Sequence, residues 1–115
     1  MIRQRNMTKG QVMCGCFEAK GLYTRDAKLQ LVIPHSASLK DKRRVAKSLI
    51  DKTRHRFNVS IAQLDADSDY RHLTLAVAVT SGSLSHAYDS LNQVISFVEE
   101  QGYNLGAELI NEDIY

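Results

Sequence analysis

From Ser38 to Phe57 the apolar positions recur every three or four residues. At about 100° per residue, Leu39, Ala46, Leu49, Ile50, Thr53 and Phe57 fall on one arc, and Lys40, Arg43, Lys47 and Arg54 fall on the opposite arc with Arg44 beside them. The spacing predicts an amphipathic helix with one face in a core and the other charged. Ser38 followed three residues later by Asp41 resembles a capping box, in which the hydroxyl accepts an orphan N–H and the carboxylate sits at the positive end of the helix dipole. At Asn58 the period changes from helical to alternating, so a strand is expected to follow.

Elsewhere the alternation is mostly that of strands. Leu29, Leu31 and Ile33 alternate with Lys28, Gln30 and Val32 up to Pro34, where Pro34 to Ala37 forms the turn into the helix. Val59 and Ile61 continue the alternation after the helix, and Asp65 to Tyr70 reads as a polar loop. Leu73, Leu75, Val77 and Val79 form the clearest strand, with His72, Thr74, Ala76, Ala78 and Thr80 on its other face; the two strands make an antiparallel hairpin. After the turn Ser81-Gly82, the residues Leu84, Ala87, Tyr88, Leu91, Val94, Ile95 and Val98 mark a second helix, with Gly102 as its expected stop. Leu105, Ala107 and Leu109, within Asn104 to Tyr115, supply a last strand.

The order strand, helix, strand, strand, helix, strand is that of an α+β split βαβ fold, a four-stranded antiparallel sheet with two helices on one face. Residues 28–115 are read as this single domain and residues 1–27 as an N-terminal extension or an irregular first strand. Val12 to Ala19 is also strand-forming, which makes the first strand either longer than the others or interrupted by Gly21 to Asp26.

A length of 115 residues allows a core without disulfides or a structural metal. No apolar run approaches the roughly 20 residues needed to cross a bilayer, and Met1 to Gln11 is too polar for a signal-peptide core. Cys14 and Cys16 are too close in sequence for an ordinary unstrained bridge, which fits a reducing compartment. The expected location is the cytoplasm, with no membrane association.

The charge distribution sharpens the picture. The stretch 38–58 holds eight cations against two acids, a net +6, in a chain whose overall charge is +2. Residues 1–37 add +4, and residues 59–115 carry −8. A basic first half and an acidic second half either orient the molecule toward a polyanion or pair its own ends.

The run Pro34-His-Ser-Ala-Ser38-Leu-Lys-Asp-Lys-Arg-Arg-Val45, continuing through Lys47-Ser-Leu-Ile-Asp51 to Arg56-Phe-Asn-Val-Ser-Ile-Ala62, resembles the signature of the YlxP family, small bacterial proteins described as a domain of unknown function. Leu75-Ala-Val-Ala-Val79 and Ser96-Phe-Val-Glu-Glu100 are similar as well. The resemblance covers roughly residues 28–110 and implies a ferredoxin-like fold, in agreement with the pattern. Members are often encoded beside translation and ribosome-maturation genes, so the resemblance implies an RNA or ribosome association. Gln63 stands where the family commonly has a glutamate, and Tyr70-Arg71-His72 where it commonly has a tryptophan. The resemblance supplies no catalytic residues.

For the basic stripe, one reading is phosphate contact by Lys40, Arg43, Arg44, Lys47 and Arg54. The other is a solvated helix face, with Asp51 bonding Lys47 or Arg44. Lys42 and Arg56, at the edge of the apolar arc, are expected to lay their stems over the core. The open sheet face offers small side chains without a ring platform, which favours recognition of RNA backbone or shape over unstacked bases, and also suits self-association.

Other chemistry is weaker. Asp65-Ala-Asp67-Ser-Asp69 opens like a calcium loop but has Tyr70 and Ala76 where that loop needs glycine and glutamate. Cys14-Gly-Cys16 after Met13 offers soft ligands for copper(I), yet the spacing departs from ferredoxin-like metal carriers, and free thiols are the expectation. His35, His55, His72 and His86 have no acidic or nucleophilic partner at a recognisable spacing, and turn or capping chemistry accounts for Ser36, Ser38 and Ser85. The sequence thus predicts a non-catalytic cytoplasmic protein, without metal or cofactor, that binds RNA or a ribonucleoprotein through the basic helix and forms homo-oligomers. The alternative is a self-associating structural or regulatory module that binds a protein or small ligand.

Overall fold

The structure, a computed structural model, describes residues 16–19, 21–64 and 69–115. Its elements are β1 (Cys16–Ala19), β2 (Leu22–Val32), α1 (Leu39–Arg56), β3 (Ser60–Gln63), β4 (His72–Ser81), α2 (Leu84–Asn104) and β5 (Glu108–Ile114). All strand pairs are antiparallel. β4 lies between β2 and β3, and the other edge of β2 is shared: β1 pairs with Leu22–Arg25 and β5 with Ala27–Val32. From β2 onward the chain order βαββαβ and the spatial order β5-β2-β4-β3 form the ferredoxin-like split βαβ arrangement.

Register explains the core. Leu29 lies opposite Leu75, Leu31 opposite Leu73, and Val77 opposite both Ala27 and Ile61, so these side chains project to the same side of the sheet. All are buried, together with Ala46 and Leu49 from α1 and Ala87, Leu91, Val94, Ile95 and Val98 from α2. Both helices therefore cover one face, and each fully buried large aliphatic side chain is worth about 1.5–3 kcal/mol. Phe57 is only half-buried at the edge of this core. Thr53 is wholly buried, and its hydroxyl donates to the Leu49 carbonyl at 2.7 Å, which satisfies it within the helix.

Ser38 caps α1 by accepting from the Asp41 N–H at 3.2 Å, and Asp41 reaches back to the Ala37 N–H at 3.0 Å. The reciprocal bond thus closes one residue before the cap. Ser83, rather than Ser85, caps α2 by accepting from the His86 N–H.

Two boundaries differ from the pattern-based expectation. β2 begins at Leu22, well before Lys28, so Leu22 to Asp26 continues the first core strand instead of interrupting it. Tyr23, Thr24 and Arg25 pair with Ser81, Thr80 and Val79, and the long partner β4 holds this polar stretch in the ladder. Gly102 is not the stop of α2 either; it lies inside the helix and is buried. A Cβ at Gly102 would sit 3.1 Å from Leu31 Cδ2 and 3.3 Å from the Ala107 carbonyl oxygen, so the missing side chain lets α2 approach β2 closely. Gly106, with φ of +82°, makes the turn out of the helix.

Candidate nucleic-acid interface

α1 places its charges as the period requires. Lys40, Arg43, Arg44, Lys47 and Arg54 are all exposed on the side away from the core. Lys40 and Arg43 make no hydrogen bond or ion pair among the described residues. Arg44 meets Asp41 at 3.4 Å and Lys47 meets Asp51 at 2.9 Å, both pairs on the exposed surface of the same helix. Such pairs are worth only about 0.2–1 kcal/mol, so a phosphate can displace them. Arg54 differs: its guanidinium donates to the Ile61 carbonyl at 2.9 Å and covers the outer edge of β3. The structure thus groups Lys40, Arg43, Arg44 and Lys47 as a solvent-facing stripe and sets Arg54 at its end, committed in part to the fold.

The remaining cations of the helix have other employment. Lys42 is 3% exposed, and its ammonium donates to the Asp69 carbonyl at 2.9 Å. Arg56 lies over the Phe57 and Phe97 rings, 5.7 and 5.6 Å from their centroids. Arg56, exposed beside the rings, matches the expectation of a stem laid over the core; Lys42 departs from it, because its side chain is buried and its ammonium is bound to a carbonyl. No ion pair among the described residues joins Lys40, Arg43, Arg44, Lys47 or Arg54 to an acid outside α1.

Where α1 begins, a cleft of about 450 Å³ opens beside the Pro34–Ser38 turn, lined by Ile33, His35, Val45, Ser48 and Leu105 with Arg44 and Asp41 at one side. Arg71 donates to the Ser36 carbonyl at 3.3 Å, which ties this turn to the start of β4. On the far side of the sheet, Lys28, Ser60, Ala62, Ala76 and Ala78 line a shallow depression of about 240 Å³ that neither α1 nor α2 covers. The side chains there are small, as expected, but Tyr115 from the end of the chain also lines it, a ring that alternation within the strands does not reveal.

One polar pair departs from the sequence reading. His72 Nδ1 and Asp69 Oδ2 lie 2.5 Å apart, so this histidine does have an acidic partner three residues away. The Arg71 N–H also donates to Asp69 Oδ1 at 2.9 Å; this bond first, and then the bond to His72, hold the Asp69 carboxyl below its usual range. No nucleophilic side chain among the described residues is hydrogen-bonded to this pair. Cys14, the side chain of Cys16, and Asp65 and Asp67 of the calcium-like stretch lie outside the described residues. Among the described residues no three His, Cys, Asp or Glu side chains are grouped as metal ligands, and no helix is long and apolar enough to cross a membrane.

The fold and the exposed helix define a ferredoxin-like α+β protein with a basic helical face. Over residues 26–113 it matches the model of the family described as "Protein of unknown function (DUF503)", and the chain belongs to that family. It is 27% identical over 73 residues to "Uncharacterized protein YlxP" of Bacillus subtilis (strain 168), a match that covers 64% of this chain and 79% of the relative. Among solved structures it resembles a C-terminal segment of the alpha subunit of aIF2 from Pyrococcus abyssi, with a TM-score of 0.50, 12% identity, and coverage of 81% of this chain. This chain spans about half of that segment (49%), and the likeness is one of fold. A de novo designed protein, Ferredog-Diesel, aligns over 98% of this chain at 11% identity and a TM-score of 0.44.

Proposed function

We propose that this is a non-catalytic cytoplasmic protein that binds RNA or a ribonucleoprotein through the outer face of α1. The observation that carries the reading is the stripe Lys40, Arg43, Arg44 and Lys47: two cations without partners among the described residues and two in exposed, exchangeable pairs, all on one helical face. Such a face tracks a phosphate backbone, because each phosphate neutralised releases counterions and arginine forks engage two oxygens. The open sheet face, dominated by small side chains, offers bases little to stack on, so the contact is made by the helical side of the molecule. Ultraviolet crosslinking of the protein in cells, followed by sequencing of attached RNA, tests the proposal. Enrichment of defined RNA segments supports it; recovery of protein partners without RNA opposes it.

A second reading draws on the uncovered depression at Ser60, Ala62, Ala76 and Ala78, where small side chains would let the sheets of two copies approach each other. Light scattering after size exclusion distinguishes this homo-oligomer from a monomer. A monomer at high concentration removes self-association and leaves the RNA reading intact.

A further inference from the structure

The last turn of α1 and the middle of α2 bring together residues far apart in sequence. Phe57 and Phe97 meet edge to face, with ring centroids 5.3 Å apart and planes at 77°. The Arg56 guanidinium lies within 6 Å of both centroids, at 5.7 and 5.6 Å. The two rings are half-buried, while Arg56 is exposed and makes no hydrogen bond or ion pair among the described residues. Beside them opens a cleft of about 380 Å³, walled also by Asn92, Gln93, Ser96 and Glu100.

Each wall constrains what fits. Two rings and a guanidinium plane offer stacking surfaces to a flat, delocalised group. The amides of Asn92 and Gln93 present both donors and acceptors, the combination that reads the edge of a base. Glu100 accepts hydrogen bonds but repels anions, so a phosphate is disfavoured inside the cleft while an amino-bearing ring is welcome. The volume lies in the range of small-molecule sites.

We infer that this cleft holds one unpaired nucleobase, stacked against Arg56 and the Phe57–Phe97 pair, while the phosphates of the same RNA lie along the α1 stripe. The inference rests on the RNA reading and adds a base-specific contact to it. A structural role alone, in which Arg56 covers the rings, requires no base.

The test uses two fluorescein-labelled RNA hairpins that differ at one position: a single-nucleotide purine bulge, or an abasic residue at the same bulge. Anisotropy titrations of the full chain are expected to give about tenfold tighter binding to the purine bulge, in line with the energy of one stacked base. Phe97→Leu and Arg56→Gln should lower that preference to about twofold or less, with affinity for the abasic hairpin and its salt dependence unchanged. The wild-type comparison needs no variant, so a folding defect in either variant leaves the test valid. Equal affinity of the wild-type protein for the two hairpins overturns the base site and leaves the basic-face reading standing. Failure to bind either hairpin overturns both.

Discussion

The Arg54 guanidinium donates to the Ile61 carbonyl at 2.9 Å, so the last turn of α1 is fastened to the outer edge of β3. The bond occupies a backbone acceptor on an edge strand, which would otherwise face solvent or a second chain. Arg54→Gln should therefore cost about 1 kcal/mol in stability, the usual worth of a hydrogen bond. Arg43→Gln, on the solvent-facing stripe, should change stability by about 0.5 kcal/mol or less. Urea denaturation of the two variants checks the contrast, and equal costs would remove the structural role of Arg54.

Lys40 and Lys42 stand two residues apart in the same basic run and differ completely in surroundings. Lys42 is buried and its ammonium bonds the Asp69 carbonyl, joining α1 to the segment before β4. Lys42→Ala should destabilise the protein by about 2 kcal/mol through the lost charged hydrogen bond and stem packing. Lys40→Ala should stay within about 0.5 kcal/mol. Thermal or chemical denaturation of both decides whether the run is uniform.

Gly102, inside the last turn of α2, and Gly106, just beyond the helix, are expected to respond to different substitutions. At Gly106, φ of +82° favours glycine or asparagine, so Gly106→Ala should cost about 1 kcal/mol and Gly106→Asn less. At Gly102 the obstacle is space. A Cβ there meets the fully buried Leu31 and the Ala107 carbonyl oxygen, so Gly102→Val should destabilise by about 2 kcal/mol or more, beyond any gain in helix propensity. Denaturation midpoints of the three variants check the assignment.

The Asp69 carboxyl, held below its usual value of 3.8 first by the Arg71 N–H and then by His72, gives the protein an acid-sensitive contact. Because the folded state favours the ionised form, the contribution is fully present above the ordinary carboxylate range and is lost as pH falls through the lowered folded value. The stability advantage of the wild-type protein over Asp69→Asn should therefore shrink as pH drops below about 4. Melting curves across that window, with an NMR titration of Asp69, measure both sides of the linkage. A midpoint at or above 3.8 would contradict it.

Much of this architecture is legible in the sequence because the core obeys simple periods. Leu73, Leu75, Val77 and Val79 alternate, and Leu91, Val94, Ile95 and Val98 recur helically, so strand, helix and buried face follow together. The start of β2 is hidden because Thr24, Arg25 and Asp26 are polar and their pairing with β4 is non-local. Gly102 misleads for a related reason: a glycine chosen for close packing has the same local appearance as one that ends a helix. The stripe on α1 is legible from its period, whereas the partner that commits Arg54 in part to the fold lies on β3, and the one that holds Lys42 lies on the segment before β4. Phe57 follows the last residue of α1 and Phe97 lies on α2, and no spacing rule connects them.

Whether the α1 face lies on a phosphate backbone is read from the salt dependence of RNA binding. A structured RNA should be titrated at several salt concentrations with the wild-type protein and with a Lys40→Gln, Arg43→Gln, Lys47→Gln triple variant, which spares the fold-committed Arg54 and Lys42. If the α1 face lies on the phosphate backbone, affinity falls in the variant, and the slope of log affinity against log salt becomes shallower by about 2 to 3 units, close to one per lost contact. A folded triple variant with unchanged affinity and unchanged slope would show that the stripe is only a solvated surface.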